Sequence, residues 1–474
     1  MRPIITAFIS IFLVPMAVAM EPVKTPPNIL VFIADDAGMD FGCYGNQGIR
    51  TPNIDRMAAE GLKFNEAFLT CSQCSPTRTS LLSGQFAHTI GTEDLHTPLG
   101  ATTKILPSYL EEQGYFTGLM LKTHIGPHGM KQFNWYDQGN VSYRKGLWND
   151  HVQEKFSAFI EASDGKPFFM WCAFIDPHRP YGDSITGAPE VHSPADVTVP
   201  PHLVDSEETR KDLAQYYDEI HRMDKHIGLI LEELERRDLA DNTLIVFFSD
   251  NGAPFPRAKA TVYDTGIQTP LVIKWKGNIQ PGTTYNDLVS MIDLAPTLLE
   301  ASGSKIPEQM AGQSISDIFK DQDLPGRRYV FSERNWHDSD AHMRSIRSKK
   351  YKLILNTYTW LPFPISGDYW QSGAWSDLLQ GRVENTLTNG QLRIFEFPRP
   401  SIELYDVEND PHELVNLNTN PAYRSVIEDL NNELLQWQIE TNDLLPPQVP
   451  RRDIVDRKSG FLYDRNRINS LKSN

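Results

Sequence analysis

Residues 28–36 read NILVFIADD, a nearly continuous apolar run closed by two aspartates. Similar runs recur at 116–121, 168–175 and 243–248, and a cluster of polar residues follows each one. Short runs without polar alternation are typical of strands buried on both faces, as in a parallel sheet. Apolar residues at helical spacing lie between them, most clearly over 213–234. This alternation predicts right-handed crossovers and a doubly wound α/β sheet, whose ligands bind beyond the carboxyl ends of the strands.

The pattern of apolar and charged residues changes in the last third of the chain. Stretches 343–356 and 402–407 predict amphipathic strands with charged outer faces, and 421–437 predicts a covering helix. We therefore expect an α/β catalytic domain over 20–335. A smaller α+β subdomain, with a small antiparallel sheet and a helix, is expected over 336–474.

Composition narrows the class of protein. The 474 residues are 40% hydrophobic and 22% charged, as in an ordinary globular protein. The net charge of −16 makes the surface repel polyanions, so nucleic acid is not an expected partner. A sulfated or phosphorylated ligand would need a local basic pocket.

The first 19 residues predict a cleaved signal peptide. Arg2 is followed by an apolar stretch and by the small residues Ala17 and Ala19. An uncleaved anchor or a lipoprotein signal is the alternative, but no cysteine follows the cleavage pattern. No later apolar run approaches the roughly 20 residues of a membrane-spanning helix. We expect export to the periplasm or the medium, without a membrane partner.

The segment CSPTRTSLLSG, residues 74–84, carries the most specific chemistry. Pro76 suits the first turn of a helix and Gly84 its end. Cys74 would then lie at the helix N-terminus, where backbone N–H groups favour an anion, and Arg78 one turn further on the same face. The alternative is a buried structural cysteine beside a surface arginine. The chain has only four cysteines, too few for a disulfide scaffold: Cys43, Cys71, Cys74 and Cys172.

Two strand ends carry paired oxygen ligands. Asp35 and Asp36 follow one run, and Asp250 and Asn251 follow another. Adjacent carboxylates repel each other, and a divalent cation is the usual reason to tolerate them. Oxygen ligands without histidine indicate Ca²⁺ or Mg²⁺ rather than zinc. A turn or a helix cap is the alternative for the first pair alone.

The residue 74–84 segment resembles the signature C-x-P-x-R of the type I sulfatases, whose cysteine is oxidised to formylglycine (3-oxoalanine). The resemblance spans nearly the whole mature chain and implies an alkaline-phosphatase-like fold. It implies a geminal diol at position 74 that attacks sulfur and then expels sulfate, and a formylglycine-generating maturation enzyme. It also implies a sulfated oligo- or polysaccharide substrate. One Ca²⁺ per chain would be held by Asp35, Asp36, Cys74, Asp250 and Asn251.

Further catalytic roles follow from this resemblance. Lys122 would neutralise sulfate, His124 would assist at the nucleophile, and Lys259 would clamp sulfate and the leaving oxygen. We expect His178 to protonate the leaving group, since histidine titrates near neutral pH. Substrate contacts are expected from His88, His96 and Arg179, and polar loop residues without a functional role are the alternative for the two histidines. Structural roles are expected for Cys43, Asp224, Trp360 and Trp370.

Within the family the closest resemblance is to the N-sulfoglucosamine sulfohydrolases, or heparan sulfamidases. It rests on SDNGAPFP (249–256), LPFPISGDYW (361–370) and LLQWQIETND (434–443). Lys259 stands where that pattern has arginine. An O-sulfatase acting on an algal polysaccharide such as ulvan is the alternative substrate class. A phosphatase of the same superfamily and a non-catalytic sulfated-glycan-binding protein are the rival classes. The sequence makes no prediction of oligomeric state.

Overall fold

The computed structural model describes residues 26–137, 151–182 and 190–443. The predicted signal peptide lies outside the described residues. The strands are β1 (Asn28–Ala34), β2 (Leu62–Phe64), β3 (Ala67–Phe68), β4 (Phe116–Leu121), β5 (Trp135–Asp137), β6 (Phe168–Ala173), β7 (Thr243–Ser249), β8 (Leu271–Lys274), β9 (Thr283–Tyr285), β10 (Val289–Ser290), β11 (Val330–Trp336), β12 (Asp340–Arg347), β13 (Tyr351–Asn356) and β14 (Ile402–Asp406). The described helices are Pro52–Ala59, Cys74–Ser83, Ala87–Ile90, Leu106–Glu111, Gly126–Met130, Val152–Ala162, Glu207–Arg236, Asp264–Ile267, Leu294–Ala301, Gly373–Glu384, Asn389–Leu392 and Arg424–Glu440.

The central sheet has eight strands in the order β5-β4-β6-β1-β7-β8-β2-β9. The first five of these run parallel to one another. Leu30 and Phe32 of β1 enter one hydrophobic core, whereas Ile29 and Val31 enter another, so the strand is buried on both faces. The predicted doubly wound α/β sheet is confirmed.

Strand β8 departs from the parallel pattern because it pairs antiparallel with β7. A parallel connection needs a crossover of a dozen or more residues, usually containing a long helix. Between β7 and β8 the chain has only the short helix Asp264–Ile267. The connection is instead a loop at the edge of the sheet. This loop carries Lys259, and the chain then returns in the opposite direction as β8.

The C-terminal part contains the antiparallel sheet β11-β12-β13-β14. The helix Arg424–Glu440 packs on it through Leu430, Leu434 and Trp437. One expectation is wrong. Arg344 of β12 and Lys352 of β13 are buried and ion-paired, not exposed on an outer face. The reason is that both faces of this sheet are covered, one by the helix and the other by the rest of the chain.

Three further features bear on the expectations from the sequence. Within the described ranges, no helix combines the length and hydrophobicity needed to cross a membrane. All four cysteines are free thiols. Asp224, on the long helix Glu207–Arg236, accepts backbone N–H bonds from Asn53 and Ile54 at the start of the helix Pro52–Ala59. This contact fits the structural role expected for Asp224.

Candidate active site

The loops that follow four neighbouring strands converge at one edge of the central sheet. Strands β4, β6, β1 and β7 are adjacent and parallel, so their carboxyl ends lie side by side. The residues carried just beyond these ends are Lys122 and His124, His178, Asp35 and Asp36, and Asp250 and Asn251. Strand order therefore explains why residues far apart in sequence meet.

Asp35 and Asp36 both face the site although they are consecutive. Successive side chains of an extended strand point to opposite sides. Here Asp36 has φ 77°, in the left-handed region, and this turns the chain immediately after β1. The turn is held by the backbone N–H of Asp36, which donates to Asp250 Oδ1 at 3.3 Å.

Cys74 is the first residue of the helix Cys74–Ser83, which ends at Gly84 with φ 65°. Its Sγ lies 3.5 Å from Asp35 Oδ1, 3.5 Å from Asn251 Oδ1 and 3.9 Å from Asp36 Oδ1. Burial raises the pKa of the Cys74 thiol well above its usual value. The cysteine is thus placed at a helix N-terminus, among oxygen ligands and out of solvent.

The oxygen ligands fit a divalent cation. Ligand atoms of Asp35, Asp36, Asp250 and Cys74 all lie within 4.8 Å of one another, and all four residues are buried. Asn251 Nδ2 donates to Asp36 Oδ1 at 2.8 Å, which turns the amide oxygen toward Cys74. Burial raises the pKa of Asp250 even beside Arg78, so additional positive charge would favour its ionised form. Clustered carboxylate and amide oxygens are the donors that Ca²⁺ and Mg²⁺ prefer.

Three cations surround this group of carboxylates. Arg78 is fully buried and donates from Nε to Asp250 Oδ2 at 2.8 Å, with a second nitrogen 2.7 Å from the same oxygen. Lys122 pairs with Asp35. Lys259 Nζ lies 2.7 Å from Asp36 Oδ2. Although burial opposes its charge, Asp36 and its neighbours raise the pKa of Lys259 well above its usual value.

Histidines line the approach to Cys74. His178 Nε2 lies 3.9 Å from Asp36 Oδ2. His124 Nε2 lies 2.7 Å from His96 Nδ1. Burial and Lys122 lower the pKa of His124 well below its usual value, so this imidazole is neutral at pH 7. A cavity of about 570 Å³ opens beside them, and its lining includes Ser75, His96, His124, Lys131 and Tyr136.

Two predicted substrate contacts are engaged elsewhere. The ring nitrogen Nδ1 of His88 lies 2.9 Å from Glu333 Oε1, and its ring packs edge-to-face on Trp437. Arg179 forms a two-pronged pair with Asp212 at 2.7 and 2.8 Å. These contacts hold His88 against the C-terminal sheet and Arg179 against the long helix, whereas His96 does line the cavity.

Sequence reasoning did not single out Asp368, although it lies inside the quoted stretch 361–370. Its carboxylate is 2.6 Å from Lys259 Nζ and 3.6 Å from His178 Nε2. Trp360 and Trp370, for which structural roles are expected, have side chains that are 51% and 62% exposed. Both tryptophans lie in the long connection after β13, and the sequence pattern of a connection does not show which of its side chains face solvent.

Comparison with known proteins decides the family. The family described as Sulfatase matches residues 27–304, more than half of the chain. The chain belongs to the sulfatase family. This sulfatase also matches, over residues 257–361, the family described as N-sulphoglucosamine sulphohydrolase, C-terminal. It is a hydrolase that acts on sulfated carbohydrates.

Individual relatives cover nearly the whole sulfatase. N-sulphoglucosamine sulphohydrolase from Homo sapiens is 32% identical, over 88% of this chain and 91% of that protein. An ulvan-active sulfatase from Formosa agariphila is 29% identical, over 93% of this chain and 86% of that protein. A solved structure in complex with its substrate D-glucosamine-2-N,6-O-disulfate has a TM-score of 0.67 at 20% identity, covering 89% of this chain and 99% of that one. The last likeness supports the fold.

Proposed function

We propose that this sulfatase hydrolyses the sulfamate group of N-sulfated glucosamine in heparan-type glycans. The observation that carries the proposal is the match of residues 257–361 to the C-terminal family of N-sulphoglucosamine sulphohydrolases. This region begins beside Lys259 and includes β11, β12 and β13, so the likeness extends from the catalytic edge into the smaller sheet. The human relative at 32% identity agrees with it.

The proposal includes two groups that the donor set fits. One Ca²⁺ would be held by Asp35, Asp36, Asp250, Asn251 and the side chain at position 74. Cys74 would be oxidised to formylglycine by a maturation enzyme. These groups supply, respectively, positive charge at the sulfate oxygens and a hydrated aldehyde as the nucleophile.

The chain's own residues would bind and orient the sulfate. Arg78, held by Asp250, cannot swing away from its position because its guanidinium is buried and paired. Lys122 and Lys259 would neutralise the sulfate from two sides, since Lys122 pairs with Asp35 and Lys259 pairs with Asp36. Fixed charges in a buried site stabilise developing negative charge strongly, because no solvent must reorganise.

The two histidines differ in the proton that each can carry. The low pKa of His124 leaves it neutral, so it can accept a hydrogen bond near position 74. His178 lies 3.6 Å from Asp368, which also pairs with Lys259, and would donate a proton to the leaving atom. His178 is therefore the proposed acid, and His124 the proposed hydrogen-bond acceptor.

An O-sulfatase acting on an algal polysaccharide is the second candidate, favoured by the ulvan-active relative at 29% identity. A non-catalytic glycan-binding protein is disfavoured, because the cysteine, the oxygen ligands and all three cations are retained together. Residues 1–19 support the further proposal that the enzyme is exported through a cleaved signal peptide to the periplasm or the medium.

The deciding experiment measures sulfate released by enzyme co-expressed with a formylglycine-generating partner. The panel holds N-sulfated glucosamine, 6-O-sulfated glucosamine and ulvan-type sulfated rhamnose oligosaccharides. We expect release from the N-sulfated sugar. Release only from an O-sulfated oligosaccharide would replace the proposed substrate with the second candidate.

A further inference from the structure

A carboxylate from the C-terminal part of the chain enters the site beside the cations. Asp368 lies between β13 and the helix Gly373–Glu384. Its Oδ2 is 2.6 Å from Lys259 Nζ and accepts a hydrogen bond from Ser366 Oγ at 2.9 Å. Its Oδ1 is 3.6 Å from His178 Nε2. The side chain is 21% exposed, so a bound substrate can reach it.

The contacts of Asp368 relate it to the proposed leaving-group residues. It contacts Lys259 and His178, the two residues proposed to act on the leaving atom. Arg78 and Lys122 are held instead by Asp250 and Asp35. Burial opposes ionisation of Asp368, but Lys259 and His178 hold its pKa well below the usual value, so it is negative at neutral pH.

A negative group in this place is costly for an enzyme that binds sulfate. Like charges repel, and the repulsion is larger in a partly buried site than in water. Lys259 offsets part of this repulsion by pairing with Asp368. A carboxylate here becomes favourable when the leaving group carries a hydrogen-bond donor or a positive charge.

The two kinds of sulfated sugar differ in this respect. The bridging atom of a sulfamate is N–H, which donates a hydrogen bond, whereas the bridging oxygen of a sulfate ester has only lone pairs. Hydrolysis of R–NH–SO₃⁻ by water gives R–NH₃⁺ and SO₄²⁻. The S–N bond breaks with its electron pair on nitrogen, and nitrogen gains two protons. Hydrolysis of the ester R–O–SO₃⁻ gives a neutral alcohol, SO₄²⁻ and a free proton.

We propose that Asp368 is the specificity-determining residue that selects sulfamates over sulfate esters. Its Oδ1 accepts the N–H of the scissile S–N bond and then pairs with the ammonium group of the product. A carboxylate oxygen has two lone pairs, so Oδ1 can accept this bond while it faces His178. The inference rests on the proposed function and names the group that would carry its substrate preference.

The first test compares two substrates in wild type and in Asp368→Asn, which keeps the size of the side chain and removes its charge. We expect kcat/KM for N-sulfated glucosamine to fall about 100-fold, because one charged contact to the reacting atom is lost. For the ester 4-nitrophenyl sulfate we expect a fall of less than about 5-fold, since no such contact exists. Equal losses on both substrates would overturn the assignment.

The second test needs no turnover. Glucosamine carries an ammonium group where glucose carries a hydroxyl at the same carbon. Isothermal titration calorimetry should show wild type binding glucosamine about 10-fold more tightly than glucose, as a partly buried charge pair allows. Asp368→Asn should bind the two sugars alike. A retained preference for glucosamine in the variant would overturn the assignment even if the variant were inactive.

Asp338→Asn is the matched control. Asp338 accepts the backbone N–H of Gly367 and pairs with His337 at 2.7 Å, so it supports the segment that carries Asp368. This variant should change both substrates by the same factor and keep the preference for glucosamine. The wild-type arm separates the two proposals. Sulfate release only from O-sulfated sugars would refute the proposed function, whereas equal losses with an active sulfamidase would refute only the role of Asp368.

Discussion

The active site and the contact between the central sheet and the C-terminal sheet both bury several charges. The site cluster consists of three carboxylates and three cations: Asp35, Asp36, Asp250, Arg78, Lys122 and Lys259. The interface cluster consists of Asp264, Glu413, Arg347 and Lys352. In the interface cluster, Lys352 Nζ is shared between Asp264 Oδ1 at 2.7 Å and Glu413 Oε1 at 3.1 Å.

The difference lies in how many acids meet at one point. In the interface cluster there are two acids, and Glu413 Oε2 also accepts a hydrogen bond from the backbone N–H of Asp264 at 2.7 Å. In the site cluster, three acids and Cys74 place ligand atoms within 4.8 Å of one another. Removing one partner of a buried ion pair leaves an uncompensated charge and destabilises the fold, whereas three acids around one point also indicate a site for an added cation.

Removing the nucleophile, Cys74, should have the largest effect and should show that the site cluster serves catalysis rather than stability. Cys74→Ala should lower sulfate release at least about 10⁴-fold, because the residue that carries the reaction is lost. Its thermal midpoint should stay close to that of wild type. Cys71→Ala is the control, since Cys71 is buried equally deeply but lies outside the metal cluster. Activity retained in Cys74→Ala would refute the mechanism.

A lysine in each cluster gives the second comparison. Lys352→Met leaves Asp264 and Glu413 buried without their shared cation, so the free energy of unfolding should fall by about 3–5 kcal/mol. Lys122→Met should lower kcat/KM about 100-fold and cost less stability, because Arg78 remains 3.8 Å from Asp35. Urea unfolding and steady-state kinetics measure both variants. The opposite pattern would mean that the clusters have been assigned the wrong roles.

Calcium should distinguish the acids of the two clusters. At about 100 times its dissociation constant, Ca²⁺ should raise the free energy of unfolding by about 2.7 kcal/mol in wild type. Asp250→Asn should lose this response, whereas Asp264→Asn should be less stable yet keep it. Thermal melts with chelator and with added Ca²⁺ measure the effect. A normal calcium response in Asp250→Asn would remove this residue from the metal site.

The smallest expected effect is the pH dependence of the interface cluster. Burial raises the pKa of Glu413 to about 7. The folded state therefore holds this proton more tightly than the unfolded chain, in which glutamate titrates near pH 4.3. The contribution to stability is complete below that pH and is lost as pH rises through about 7. Glu413→Gln should not show this loss in urea titrations across pH 4–8.

Much of the site could be predicted because it depends on local patterns. An apolar run such as 28–34, closed by Asp35 and Asp36, indicates both a buried strand and the end at which its ligands lie. The spacing of Cys74, Arg78 and Gly84 indicates a helix and the face that the anion meets. These features depend on neighbours within a few residues, so the sequence displays them directly.

The sequence by itself therefore determined the doubly wound sheet, the helix that presents Cys74 and the oxygen ligands after β1 and β7. Only the tertiary structure decided that Lys352 is buried against Asp264, 88 residues away, and that Asp368 reaches Lys259. It also decided that Trp370 is exposed and that His88 is held by Glu333. The physical reason is that periodicity reports whether a face is apolar or polar, whereas the partner that covers a polar face depends on how distant segments pack.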